Sequence, residues 1–432
     1  MRLSCADEML LLNGCPGVIG LAVVFAGEQP DVEQARARVA ERWTGLERMN
    51  CVLDRAPGDA GTRRGGLLGR RGRARWAVPG PFDPAVQVEV APCKLDDLWA
   101  QSVDRPIGGA APPWRLFVVP DTAHGGSFAL ALLAQHELLD GRSLSTLMRS
   151  LMDTPATSTT SATTREPARP APLTRTGLRA AGKELRAMAA TGQALPARAP
   201  QETYASVAVC ELPAHTVRSA RRQPPDGRGA TLNELLVGAV AGALRAEYGP
   251  VPGWRQREQP VYTAVPCDLR TRANPGELGN TLTAVRVPLP VGVDSPVARL
   301  RAGQAALATV PQRAAVHADV LFPAAEAVRR SGPWVTRLMT GSGRRSCFAA
   351  TTTTAMKWSG GASTFQGRRL VRTVGLPPLR HPGTAGFALV QAGDAITLTA
   401  VSNARPDEAR RLAGAVITEF ETWARTAETP SV

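Results

Sequence analysis

Only five histidines occur in the 432 residues, and one of them stands where an apolar run breaks into a polar turn. In "ALALLAQHELLDGRSL" the apolar segment is followed by Gln135 and His136, then by Asp140 and Gly141. The periodicity puts Gln135 and His136 at the end of a buried strand, and Asp140 and Gly141 in the turn that opens a helix. A histidine at a strand end can act as a general base when its second ring nitrogen is held by a neighbouring acceptor. Asp140 can turn back and brace the loop, and Gly141 lets a ligand or another backbone approach closely. Taken alone, H-x-x-x-D-G fits a hydrogen-bonded histidine beside a turn equally well. The other histidines, His124, His215, His317 and His381, read as loop or polar-surface residues without a role.

The elements that must position this motif alternate between strand and helix. "GVIGLAVVFAG", "WRLFVVP" and "SFALALLAQ" read as strands, "DVEQARARVAERWTGLERM" as an amphipathic helix and "SLSTLMRSLM" as the helix after the motif. Further on, "TLNELLVGAVAGALRAEYG" carries Leu232, Leu235, Leu236, Ala239, Val240, Ala243 and Leu244 at helical spacing. Its other face is also small and apolar, so this helix is expected to be buried on nearly all sides. Thr231 and Glu234 form a capping-box pattern at its start, and Gly249 suits its end. "GFALVQAGDAITLTAVSN" reads as a hairpin turning at "AGD", followed by a final helix in "PDEARRLAGAVITEFETWA". The one composition break, "DTPATSTTSATTREPARPAPLTR" from Asp153 to Arg175, has almost nothing to bury and reads as a linker. It divides the chain into 1–152 and 176–432, and the alternation in both parts predicts an α/β or α+β sandwich.

Composition limits the partners. At 44% apolar, the chain can bury the cores of two ordinary domains. The opening "MRLSCADEMLLLNGCPGVIGLAVVFAG" breaks its apolar residues with "ADE" and "NG" and does not read as a signal peptide; no apolar stretch reaches spanning length. The seven cysteines, Cys5, Cys15, Cys51, Cys93, Cys210, Cys267 and Cys347, are scattered and form no C-x-x-C pair. They read as small buried thiols in a reducing cytoplasm, with neither a metal site nor a disulfide framework. A net charge of +14 suggests an anionic partner, yet the excess is arginine spread along the whole chain, with three lysines only (Lys94, Lys183, Lys357). The densest basic stretch, "RRGGLLGRRGRARW", has one aromatic beside it and reads as a solvated loop, not a nucleic-acid site; a phosphate or membrane contact stays open.

The motif and its surroundings together resemble one family. "QHELLDG" is similar to the HHxxxDG signature of the thioester-dependent acyltransferase superfamily, which includes chloramphenicol acetyltransferase, nonribosomal-peptide condensation domains and the bacterial wax ester synthase/diacylglycerol acyltransferases. The last of these matches best. "LSCADEMLL" resembles its opening LSxxDxxFL segment, "GPFDPAVQVE" its FDxxxHV segment, and "VDRPIGGAAPPWRLFVV" its LDRxxPLWxxxLV segment. "ATLNELLVGAVAGALR" resembles its ATxNDVxLAxVAGALR helix. The stretch from "AVPCDLR" through "GN" to "VPLP" resembles its PVSLR, GN and VPLP succession. The similarity spans the chain and keeps its order. Three positions depart from the pattern: Gln135 replaces the first motif histidine, Gln87 the histidine of FDxxxHV, and "TTTTAMK" stands where SNVPGP is usual.

The resemblance implies two chloramphenicol-acetyltransferase-like domains with a tunnel between them, where donor and acceptor meet at His136. It gives His136 the base role, while Gln135 keeps a histidine's hydrogen bonding without its titration. Asp140 is expected to brace the loop by pairing with an arginine, for which Arg270 in "CDLRTR" is the candidate, since a buried unpaired carboxylate is costly. Asn233 is expected to contact the site or merely to serve its helix's first turn, and Asn280 to serve the site or the turn beside Gly279. Thr351 to Thr354, in particular Thr352 and Thr354, are candidate oxyanion donors or plain strand residues. The implied activity is ester formation from acyl-CoA and a hydroxyl acceptor, in lipid or specialised-metabolite biosynthesis, with no tightly bound cofactor and no metal. Two alternatives stay open: a condensation-like enzyme using an acyl carrier protein thioester, and a non-catalytic binding relative. The expected location is the cytoplasm, with or without a peripheral membrane contact.

Overall fold

The computed structural model describes residues 3–12, 17–54, 74–121, 126–154, 174–196, 205–222, 228–250, 259–271, 275–329, 348–358, 363–379, 384–403, 405 and 407–428. Most of the basic stretch 63–76 and of the tract 153–175 lies outside these residues, as do Cys15, Cys347, His124 and His381.

The first half runs α1 (Cys5–Leu12), β1 (Val18–Ala26), α2 (Val32–Trp43), a 3-10 turn (Glu47–Asn50), β2 (Val52–Asp54), β3 (Arg75–Ala77), α3 (Pro84–Gln87), β4 (Val88–Val90), α4 (Leu95–Ser102), β5 (Trp114–Asp121), β6 (Ser127–Gln135) and α5 (Gly141–Ser150). The second half starts with α6 (Arg175–Ala189), β7 (Ser206–Leu212), α7 (Ala214–Ala220), α8 (Leu232–Tyr248), β8 (Tyr262–Asp268), β9 (Leu282–Pro288), α9 (Pro296–Leu307) and α10 (Val310–Val316). It continues with a π turn (His317–Leu321), α11 (Phe322–Arg329), β10 (Thr351–Lys357), β11 (Thr364–Phe365), β12 (Arg368–Leu376), β13 (Ala385–Ala392), β14 (Ala395–Ser402) and α12 (Glu408–Glu428).

Two six-stranded mixed sheets organise these elements, one ordered β11-β12-β1-β6-β5-β4 and the other β7-β14-β13-β10-β8-β9. The α/β class expected from the sequence therefore holds. In the first sheet, β1 and β6 pair antiparallel from Val18 opposite Gln135 to Ala26 opposite Ser127. Apolar side chains from both of its faces are buried in separate clusters, one around Trp43, Trp114 and Phe128 and the other around Trp99, Val103 and Leu376. That double coverage is why β1 and β6 read as continuous apolar runs without alternation. The long helix expected up to Met49 stops at Trp43, and the chain turns through Thr44 and Gly45 before the 3-10 turn. In the second half, α8 is buried along most of its length; its capping box and its glycine end, with Gly249 at φ +80°, are both present.

The sheets do not follow the division at residues 153–175. Strands β11 and β12 belong by position to the second half, yet β12 pairs antiparallel with β1 in the first sheet, Gly20 opposite Leu376. Asp153 fastens the turn between them by accepting from the Gln366 and Gly367 N–H groups, each at 2.8 Å.

One reading of the histidines needs correction. His317 is buried at the π turn, with Nε2 2.9 Å from Glu184 and its Nδ1 against the Thr283 hydroxyl. Arg313 donates to both oxygens of Glu184, so this carboxylate fastens α6 to α10 and β9. Burial alone would raise the Glu184 pKa, but the hydrogen bonds from Arg313 and His317 outweigh it and hold the carboxyl below its ordinary value. The stabilisation is thus present above the ordinary glutamate range and lost as pH falls through the lower folded-state value. Glu184→Gln should cost ~2 kcal/mol near neutral pH. In urea titrations from pH 7 downward, the gap between variant and wild type should close as acid is added.

Candidate active site

Strand β6 delivers the motif rigidly. The His136 N–H extends the ladder by donating to the Gly17 carbonyl at 2.6 Å. The chain then turns back, because the Gln135 carbonyl accepts from the N–H groups of Leu138 and Leu139 at 2.9 and 3.3 Å. In this turn the His136 Nδ1 lies 3.2 Å from the Leu139 carbonyl oxygen. A carbonyl only accepts, so Nδ1 carries the proton and the basic lone pair is on Nε2. His136 is 8% exposed.

Asp140 is the N-cap of α5, accepting from the Ser143 N–H at 2.8 Å. Its carboxylate is 1% exposed and takes both arms of Arg270, Nη1 to Oδ2 at 2.9 Å and Nη2 to Oδ1 at 3.0 Å. The Thr281 N–H adds a further bond to Oδ2 at 3.1 Å. Burial works against the Arg270 charge, but Asp140, with help from Asp268, outweighs it and raises the guanidinium pKa above its ordinary value. Arg270 also donates to the carbonyls of Glu277 and Gly279 and to the Ser143 hydroxyl. Ser143 in turn bonds both the N–H and the carbonyl of Gly279. One ion pair thereby joins the turn after β6, the start of α5 and the approach to β9.

Gly279 has φ +115°, a region in which a side chain is strained, and a Cβ there would lie 3.4 Å from the Arg48 guanidinium. The next residue, Asn280, turns its amide nitrogen onto the carbonyls of His136 and Glu137, at 2.7 and 3.0 Å, and onto Asp7 Oδ1 at 2.9 Å. Arg48 donates to the Glu137 and Leu138 carbonyls and to Asp7 Oδ2. Asp7, Arg48 and Ser143 were not singled out from the sequence. The signal for Asp7 was present in "LSCADEMLL", where S-x-x-D matches a reciprocal helix cap: Asp7 N–H to Ser4 Oγ at 3.0 Å and Ser4 N–H to Asp7 Oδ2 at 3.3 Å.

The other candidates have different surroundings. Asn233 ties the start of α8 to β10, its Oδ1 accepting from the Ala355 N–H at 3.0 Å. Thr352 and Thr354 are on β10 in the second sheet, and among the described residues no hydrogen bond joins them to the His136 turn. A Cβ on Gly141 would meet no atom of another described residue within 4 Å, so no approach of described backbone requires glycine there. Gln135 is buried, and its Oε1 accepts no hydrogen bond among the described residues, so the bonding expected of a histidine substitute is not made by that oxygen. Gln87 is buried beneath Pro112 and Arg115 and supports the "PPW" segment. No group of three or more His, Cys, Asp and Glu side chains able to hold a metal ion occurs among the described residues.

Three solved structures share this fold over nearly the whole chain. The wax ester synthase/diacylglycerol acyltransferase from Marinobacter aquaeolei VT8 has a TM-score of 0.60 at 16% identity, covering 98% of this chain and 100% of that one. The trichothecene 15-O-acetyltransferase from Fusarium sporotrichioides has a TM-score of 0.67 at 10% identity, covering 98% and 95%. The starter condensation domain of rhizomide synthetase, solved in complex with C8-CoA, has a TM-score of 0.62 at 13% identity, covering 99% and 95%. The fold is that of the condensation-like acyltransferases. No curated protein matches the sequence. Residues 75–233, which include His136, Asp140 and Asn233, match the wax ester synthase/diacylglycerol acyltransferase catalytic domain, so the family resemblance read from the motifs holds. Arg270, Asn280, Asp7 and Arg48 lie outside that matched segment.

Asp140→Asn leaves Arg270 with half a partner in a buried site and should cost ~3 kcal/mol or more. Gly279→Ala should cost about 1–3 kcal/mol through its backbone angle. Denaturant melts should report both losses, while the pH dependence of any activity left in Asp140→Asn stays where the wild type has it.

Proposed function

We propose that the protein transfers an acyl group from a coenzyme A thioester to a hydroxyl acceptor, with His136 as general base. The observation that carries this reading is the His136 Nδ1 bond to the Leu139 carbonyl, which leaves Nε2 as the basic nitrogen at the end of a rigid strand. Nε2 takes the acceptor's proton as its oxygen attacks the thioester carbonyl. The tetrahedral intermediate collapses, the C–S bond breaks, and the imidazolium returns the proton to the leaving thiolate. The products are an ester and free coenzyme A. No acyl-enzyme is needed. Thr352 and Thr354 are kept as oxyanion donors only for their place on β10, and Gly141 as open space for a ligand beside the base.

Support for the coenzyme A donor comes from the condensation domain bound to C8-CoA, and support for a hydroxyl acceptor from the 15-O-acetyltransferase. In this reading residues 1–152 and 176–432 form two acetyltransferase-like units, with donor and acceptor entering a tunnel between them. No helix among the described residues is long and apolar enough to cross a membrane. The protein would work in the cytoplasm, touching a membrane surface where its acceptor is a lipid. A carrier-protein thioester is the second reading, favoured by the likeness to a condensation domain.

Free thiol release should be followed with a panel of acyl-CoAs and acyl carrier proteins against alcohols and amines. His136→Ala should lower turnover by about 10²- to 10⁴-fold with thioester binding nearly intact, and the wild-type rate should fall as acid protonates the imidazole. Gln135→His should change turnover by less than about tenfold. An alanine variant with wild-type turnover would remove the base role. Activity that appears only in Gln135→His would make the natural protein a binder.

A further inference from the structure

The turn that carries His136 has four consecutive carbonyls, those of residues 136 to 139, bonded by side chains. His136 and Glu137 accept from Asn280 Nδ2 at 2.7 and 3.0 Å, and Glu137 and Leu138 accept from Arg48 at 3.1 and 2.8 Å. Leu139 receives the Nδ1 proton of His136 itself. The two outside donors come from distant parts of the chain and share one acceptor. Asp7, 2% exposed, takes Asn280 on Oδ1 at 2.9 Å and Arg48 on Oδ2 at 3.0 Å. The Trp76 Nε1–H also donates to Oδ2 at 3.2 Å, and its ring lies 4.8 Å beneath the Arg48 guanidinium.

We infer that Asp7 is a positioning residue for His136, acting through Arg48 and Asn280; the inference rests on the general-base reading of that histidine. The Asn280 amide group faces three acceptors, two carbonyls and a carboxylate. An amide turned the other way would set its oxygen against all three, so the Asp7 carboxylate adds to the two carbonyls in holding the Asn280 nitrogen toward the turn. Arg48 has a long, flexible stem, and its guanidinium reaches the Glu137 and Leu138 carbonyls while paired to a buried carboxylate at its other edge. Removing the charge takes away an anchor that the two donors share, and so loosens their hold on the pitch of the turn. Displacing a reacting group by about 1 Å can cost about 10²-fold in rate. The reciprocal cap between Ser4 and Asp7 roots this control in α1, so the first residues of the chain serve a catalytic turn that lies more than a hundred residues further on.

The test uses the full-length chain with Asp7→Asn and Asp7→Glu. Asp7→Asn should lower kcat for thiol release by about 10²-fold, leave the KM for acyl-CoA near that of the wild type and displace the acid limb of the rate profile. Amide exchange in 134–141 should accelerate by about tenfold or more while α8 keeps its protection. Asp7→Glu should restore part of the turnover. Unchanged exchange in 134–141 would overturn the inference. So would loss of protection throughout the fold, or faster local exchange with kcat and acid limb both unmoved. If the wild type releases no thiol from any thioester, the acyl-transfer reading fails by itself, and acceleration confined to 134–141 still supports Asp7 as the holder of the turn.

Discussion

The ion pair between Asp140 and Arg270 is the interaction on which the arrangement around His136 depends. Both side chains are withdrawn from water, and such a pair is favourable only when its remaining lone pairs and protons are also bonded. That condition draws in Ser143, Thr281 and the carbonyls of Glu277 and Gly279, so satisfying one carboxylate organises three segments. The turn after β6, the first turn of α5 and the strand entering β9 are held in one register as a result. Asp140 ties these segments together, its oxygens occupied by Arg270 and by the backbone N–H groups of Ser143 and Thr281.

The second constraint is the accounting of buried amides. Asn280 spends its nitrogen on three acceptors, and its Oδ1, like the Oε1 of Gln135, is buried without a donor among the described residues. Two amide oxygens left in this state beside the proposed base are costly to the folded protein. Gln135, at the place of the pattern's first histidine, cannot titrate, and its Oε1 accepts no hydrogen bond among the described residues. In the proposed reaction the chemistry falls to His136, whose tautomer is set within its own turn.

The two halves share more than a seam. Strands β11 and β12 leave the second half to complete the first sheet, and Asp153, at the end of the first half, binds their turn. Arg270 and Asn280 cross in the same sense, from the second half to the turn of the first. A site assembled this way needs segments from both sides of residues 153–175 in place.

Local physics was legible in the sequence. The continuous apolar runs announced β1, β5 and β6 because both sheet faces are covered, and Thr231 with Glu234 announced the start of α8 because capping acts within one helical turn. The place of His136 at a strand end, with Asp140 opening a helix, followed from the same short-range rules. Motif order added Arg270 as the candidate partner of Asp140. Pairings across long stretches of chain were beyond such rules. Tertiary packing decided that Asp7 and Arg48 hold the His136 turn, that Asn233 serves β10, that His317 is buried on Glu184 and that β12 joins the first sheet. Periodicity and capping act over about four residues, whereas a buried charge takes its partner from whatever segment the closed fold brings beside it.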